Sequence, residues 1–209
     1  MPEYMDEREA RRQYVRHRQT RVILTTIAAM VVVLIIALLM FFHVFGIGIK
    51  KTTAAEPNFG ATSVCAPVDQ SGAPAKYPQN TEVKIRVLNG TKFVGFAKAV
   101  GEALSNRHFT VTNVSNYTSQ KIERTTIYYG VNSIDEAYTL NSNFNDAKMV
   151  MDNRQDKLVD VIVGATFNDL NGKKHVPAPG TKIKNIQGCT PLKKVNTAKL
   201  PQAIAHDAA

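Results

Sequence analysis

From Val22 to Ile49 this 209-residue chain has no Lys, Arg, Asp or Glu. About 20 apolar residues span the hydrocarbon core of a bilayer, whereas a core helix that is apolar on every face runs to about 10–14. The missing charge therefore argues against an ordinary buried helix and predicts one transmembrane helix at 22–46. A cleavable signal peptide has an apolar region of about 7–15 residues, roughly half of what is present here. The run reads as an uncleaved anchor, although "TTAA" at Thr52–Ala55 supplies small residues where cleavage would give a mature start near Glu56.

Other absences bear on chemistry. There is no His-Glu-x-x-His and no Gly-x-Ser-x-Gly. The histidines at 17, 43, 108, 175 and 206 have no Cys or Ser partner at a recognisable spacing, and the two cysteines are not spaced as metal ligands. No catalytic residue, metal or cofactor is expected, and the chain reads as a non-enzyme. Asp135–Glu136 and Asp156/Asp160 read as helix-start and surface charges rather than as an acid–base pair. Gly90 and Gly95 have the spacing of a phosphate-binding loop, but Phe96 and Ala97 stand where that loop needs Lys and Ser/Thr. Lys92 likewise occupies the second glycine position of a dinucleotide-binding pattern. No nucleotide is expected. The arginine-rich N-terminus has only Tyr4 and Tyr14 as aromatics, so nucleic acid is not expected either.

What is present orders the chain. Arg8, Arg11, Arg12, Arg16, Arg18 and Arg21 precede the apolar run, and only Lys50 and Lys51 follow it closely. An excess of Lys/Arg stays in the cytoplasm. This predicts a single-pass cell-membrane protein with residues 1–21 as a cytoplasmic basic tail and the rest extracytoplasmic. Cys65 and Cys189 both lie on the outer side, where disulfides persist. A bridge between them would tie the two irregular flanks across the domain; two free thiols are the other reading. The Pro-, Gly-, Ala- and Ser-rich stretch within 47–82 reads as an extracytoplasmic linker.

Regular patterning begins at Val83. "EVKIRVL" alternates as a half-buried strand, and "GFAKAVGEALSNRH" carries one apolar helical stripe. "FTVTNV" and "TTIYYG" read as the next two strands. A second helix follows, with Ser133 and Glu136 as a capping box. "AKMVM" and "LVDVIVGATF" close the series, the last being the most apolar and so central. The order β-α-β-β-α-β-β predicts an α/β (α+β) two-layer sandwich over 83–170, with both helices on one face, related in outline to ferredoxin-like folds. Residues 171–209 form a basic tail: "NGKKHVPAPGTKIKNIQGCTPLKKVNTAKL" holds seven lysines and no acid. Lys173, Lys174, Lys182, Lys184, Lys193 and Lys194 are candidates for contact with anionic polymer or lipid head groups; a merely solvated tail is the plainer reading.

The stretch "VKIRVLNGTKFVGFAKAVGEALSNRHFTV" resembles the C-terminal domain of LytR-type cell-envelope attenuator proteins. Asn89, Gly90 and Thr91 match that family's Asn-Gly-Ser/Thr block, Gly95, Phe96 and Ala97 its Gly-Leu-Ala block, and Gly164 and Phe167 its closing Gly-x-x-Phe. Lys92 and His108 stand where the family commonly has glycine, and His108 implies a strained or altered helix cap. The whole layout is similar to that of actinobacterial single-pass envelope-integrity proteins. The resemblance implies a role in cell-envelope (cell-wall) homeostasis without a known reaction. Full-length attenuator-type proteins also carry a transferase domain ahead of this one, for which about thirty linker residues leave no room. The expectation is a membrane-anchored extracytoplasmic binding or scaffold protein that contacts anionic cell-wall polymer or an envelope protein. The alternative is an accessory regulatory subunit of an envelope glycopolymer transferase.

Overall fold

The computed structural model describes residues 7–41, 56–68 and 72–206. The chain divides into two units, Met1–Thr52 and Thr53–Ala209. The first holds one continuous helix, α1 (Glu7–Phe41). Its Tyr14–Leu39 segment is long and apolar enough to cross a membrane. Thr25 and Thr26 within it donate their hydroxyls to the Val22 carbonyl, at 2.9 and 2.8 Å, so their polar atoms need no water. The arginines from Arg8 to Arg21 belong to the same helix. Residues 42–46 of the expected span and 47–55 of the expected linker lie outside the described residues.

The second unit is a five-stranded sheet with two helices: β1 (Lys84–Asn89), α2 (Phe96–Ser105), β2 (Thr110–Asn116), β3 (Thr126–Tyr129), α3 (Ile134–Asn141), β4 (Lys148–Met151) and β5 (Val159–Val163). The expected element order and the two-layer α+β class hold. The strand order is β2-β1-β5-β3-β4. β1–β2 and β3–β4 are parallel pairs, each joined through a helix, and β5 lies between them, parallel to β1 and antiparallel to β3. That mixed pairing departs from the antiparallel sheet of ferredoxin-like folds. The reason is that each helix here returns the chain to the adjacent strand, whereas ferredoxin-like folds split each β-α-β unit with a strand in between.

β5 is central, and all five of its residues are buried. Ile85, Val87, Ile127, Tyr129, Met149, Met151, Val159, Val161 and Val163 share one core with Val100 and Leu104 of α2 and Ala137 and Leu140 of α3. The capping box does not form: the Ser133 hydroxyl turns back to accept from the Gly130 amide at 3.0 Å. Glu136 is buried and accepts instead from the Lys157 ammonium at 3.1 Å.

The flanks are part of the fold rather than spacers. Val64, Ala66 and Tyr77 from before the sheet, and Ile183 from after it, are buried in the same core. Backbone bonds pair the two flanks: Cys65 with Thr190, Thr190 with Ser63, Tyr77 with Thr181 and Ile183 with Ala75. The Tyr138 hydroxyl donates to the Val64 carbonyl at 2.9 Å. Cys65 and Cys189 are disulfide-bonded within this pairing. The described part of 56–82 is thus a core-packed segment, because its scattered apolar residues meet partners more than a hundred positions away.

The opposite face of the sheet carries charge. Asp160, in the middle of β5, and Asp152 are both fully buried, so they are not surface groups. The Arg86 guanidinium donates to both Asp160 oxygens, at 2.8 and 2.7 Å. Arg154 donates to Asp152 at 2.7 and 2.8 Å, to Asp160 at 2.9 Å and to the Leu158 carbonyl at 3.1 Å. Burial works against the Arg154 charge, but its bonds to the two aspartates outweigh that and hold its pKa above the ordinary value.

The chain end straps this face. Arg86 reaches the carbonyls of Ala205 and Ile204, and Asn153 pairs with Pro201 and Ala203. His206 contacts the Ile204 carbonyl through Nδ1 at 2.7 Å and the Asp156 carboxylate through Nε2 at 2.6 Å. Both contacts are acceptors, so only the imidazolium satisfies both. Burial lowers the His206 pKa and Arg154 opposes its charge, but the Ile204 and Asp156 bonds prevail and the net shift is upward. A folded-state pKa above the unfolded value of about 6.5 makes this contribution complete below that pH, and lost as pH rises through the folded value. Amide exchange at Ala203 is expected to accelerate over that rise. In His206→Gln, exchange should be fast throughout, with no step attributable to residue 206.

Candidate functional site

α2 ends in a tight left-handed stop. His108, at φ 67°, donates its amide to the Ser105 carbonyl, and Phe109 donates to Leu104. This double bond pattern, with Leu104 and Phe109 both buried, is the one helices normally close with glycine. The cap is therefore unaltered, and the strain falls on His108 itself. Its neighbour Arg107 donates to the Asn143 side chain at 2.9 Å, pinning the end of α2 beside that of α3, while the Asn80 amide holds the Arg107 carbonyl at 2.8 Å. Arg107, His108 and Lys173 line a cleft of about 320 Å³ together with Asn80, Asn143, Val176, Pro177, Ala178 and Pro179. Among the described residues, no carboxylate lines it. Two cationic side chains and a histidine in a cleft with partly apolar lining suit an anion carried on a partly apolar body.

The Asn89–Ala97 turn does a different job. The Asn89 side chain accepts from the Thr91 amide and hydroxyl, at 3.0 and 2.9 Å, and donates to the Phe93 carbonyl at 2.8 Å. Its polar groups are spent on its own backbone. A Cβ at Gly90 would lie 2.8 Å from the Val163 carbonyl oxygen, and Gly95 starts α2 at φ 78°. A Cβ at Gly164 would lie 2.4 Å from the Arg124 carbonyl carbon. Ala97, in the first turn of α2, is buried, and Phe96 packs edge-on to Phe167, which packs on Phe144. These residues build the first crossover and seat it on the sheet.

Residues 82–167, which contain that turn and crossover, match the model of the family described as the LytR cell envelope-related transcriptional attenuator. This segment is similar to a LytR C-terminal domain. A solved structure with a similar chain is the soluble domain of a conserved hypothetical secreted protein from Mycobacterium marinum, at 20% identity, covering 53% of this chain and 82% of that one, with a TM-score of 0.44. No curated protein matches the chain.

The lysine candidates all follow the matched segment, and the structure separates them. Lys173 lines the cleft, and Lys174 follows it in the same short 3-10 turn. Lys182 and Lys184 flank buried Ile183, and Lys193 and Lys194 occupy a second short turn. All six are exposed. Sequence reasoning missed Arg107 and His108 as cleft residues, since 65 positions separate His108 from Lys173 and nothing local links them. It also missed the Arg86–Asp160–Arg154–Asp152 network. The available signal was an aspartate in the middle of the most apolar strand.

His108→Gly is expected to raise stability by about 0.5–1 kcal/mol, because it relieves a left-handed non-glycine residue while adding some unfolded-state entropy. Thermal unfolding of the two proteins side by side measures it.

Proposed function

We propose that this protein is a membrane-anchored, extracytoplasmic binding domain of the cell envelope, non-catalytic in itself, which holds anionic cell-wall polymer. The observation that carries the reading is the cleft lined by Arg107, His108 and Lys173, with no carboxylate among its described lining residues. The exposed lysines at 174, 182, 184, 193 and 194 extend the basic surface of the unit that follows the sheet. The arginines ahead of the apolar segment favour a cytoplasmic N-terminus, and the disulfide suits an oxidising outer compartment. The closest-set charged groups, those of Arg86, Asp152, Arg154 and Asp160, are bonded to one another and offer nothing to a substrate.

The full chain in lipid nanodiscs should bind a purified phosphate-bearing wall polymer, with affinity falling steeply as salt is raised. Lys173→Glu should weaken binding about tenfold. His108→Gly should weaken it while the protein becomes more stable, so lost binding cannot be ascribed to unfolding. Salt-independent binding, or none, removes the reading. A second reading, an accessory subunit of an envelope glycopolymer transferase, is favoured by the Lys92–Gly95 turn, where Phe93 is 62% and Val94 101% exposed. Photo-crosslinking from position 94 in cells tests for that protein partner.

A further inference from the structure

The two edges of the sheet are treated differently. At β4, the Asn58 side chain donates to the Met149 carbonyl at 2.9 Å and accepts from the Met149 amide at 2.7 Å. A side-chain amide thus occupies the positions a neighbouring strand would use. At β2 no described residue provides such cover: six of its seven residues are exposed, and Val114 is 41% exposed. The strand reads Thr-Val-Thr-Asn-Val-Ser-Asn, with none of the lysine or proline by which proteins blunt an open edge. Its one irregularity falls at Thr112, which the register with β1 skips. Val111 and Val114 therefore face α2 together, and a Cβ at Gly101 would meet both. With Lys98, Gly101, Glu102 and Ser105 they line a shallow groove along this edge.

We infer that the β2 edge, with the adjoining flank of α2, is an interface between two copies of this chain, set antiparallel about a two-fold axis at Asn113. Two features select a second copy. β2 is uncharged along its whole length, so pairing with itself meets no like charge. Lys98 and Glu102 stand one helical turn apart on the exposed flank of α2. A two-fold axis at the middle of β2 sets the two α2 helices antiparallel, with Lys98 of each copy toward Glu102 of the other. A partner segment of a single sign would satisfy one of these groups and oppose the other. Isologous pairing of this kind is the commonest form of soluble oligomer, and addition at an open strand edge supplies its backbone bonds.

The test uses the full chain in detergent micelles, by sedimentation over a range of concentrations. A concentration-dependent dimer is expected. Lys98→Glu should weaken it roughly threefold to tenfold, as expected for two surface charge pairs turned repulsive, and Lys98→Glu combined with Glu102→Lys should restore it. Asn113→Cys should give a disulfide-linked dimer on mild oxidation. A monomer at every concentration overturns the inference. So does a dimer indifferent to Lys98→Glu, which would lie elsewhere on the chain, or a photo-crosslink from position 113 to a different protein.

Discussion

Arg154→Leu is expected to lower the free energy of unfolding by about 3–5 kcal/mol, the range for breaking a buried ion pair from one side. The size follows from what is left behind. Asp152 has no exposed side-chain surface, and Arg154 satisfies both of its oxygens. Removing the guanidinium leaves that carboxylate charged, buried and without its cation. The Leu158 carbonyl loses its donor in the same step. Asp160 suffers less, because Arg86 still holds both its oxygens. Replacing Asp152 and Arg154 together by apolar residues of similar volume should therefore cost much less than Arg154→Leu alone. Urea unfolding of the three proteins separates these cases. A loss below about 1 kcal/mol for Arg154→Leu, the scale of an exposed pair, would mean that Asp152 regains water and that the network is not closed.

Removing the disulfide should have an effect of similar size. Cys65 and Cys189 are 124 positions apart and enclose the whole sheet. In the chain-entropy model, opening a loop of that length destabilises by about 4–5 kcal/mol. Small domains are stable by only about 5–15 kcal/mol, so Cys65→Ser with Cys189→Ser should bring this one close to its limit. The flanks keep other ties: Cys65 to Thr190, Ala66 to the Asn185 side chain and Tyr77 to Thr181. Those bonds hold the flanks in place once the domain is folded, but do nothing to restrict the unfolded chain. The expected signature is a lower urea midpoint with the native fold retained in mild conditions. Each single cysteine variant should lose as much as the double. An unchanged midpoint would show that the flanking bonds suffice and that the crosslink is dispensable.

The elements that sequence alone located share a property: their evidence is local. α1 follows from an uninterrupted apolar run, β5 from its density of β-branched residues, and α2 from a stripe at helical spacing. The Asn89–Gly95 turn was legible as a strand-to-helix connection because its glycines and its missing lysine and hydroxyl sit within a few residues. The disulfide could be anticipated because two cysteines in similar settings leave only one intramolecular pairing. Three features were not legible. Ser133 reads as a helix cap but is recruited by the Gly130 amide. The flanks read as linkers because their apolar residues are scattered, with burial supplied by the other flank. Asp160 reads as a surface charge because the arginines that neutralise it lie 74 positions before it, on β1, and 6 positions before it, in the loop between β4 and β5.

By itself, then, the sequence determined a long apolar helix preceded by arginines, two β-α-β halves around a central apolar strand, and one cysteine pair. These rest on periodicity, composition and short-range sterics, which a chain expresses without reference to its distant parts. Only the tertiary structure decided that β5 inserts between the halves, that the flanks enter the core, that Arg107 and His108 meet Lys173 in one cleft, and that β4 is capped while β2 stays open. Each of these depends on which groups are brought together from far apart. Burial, charge pairing and edge exposure are properties of neighbours in space, and the chain's order does not list them.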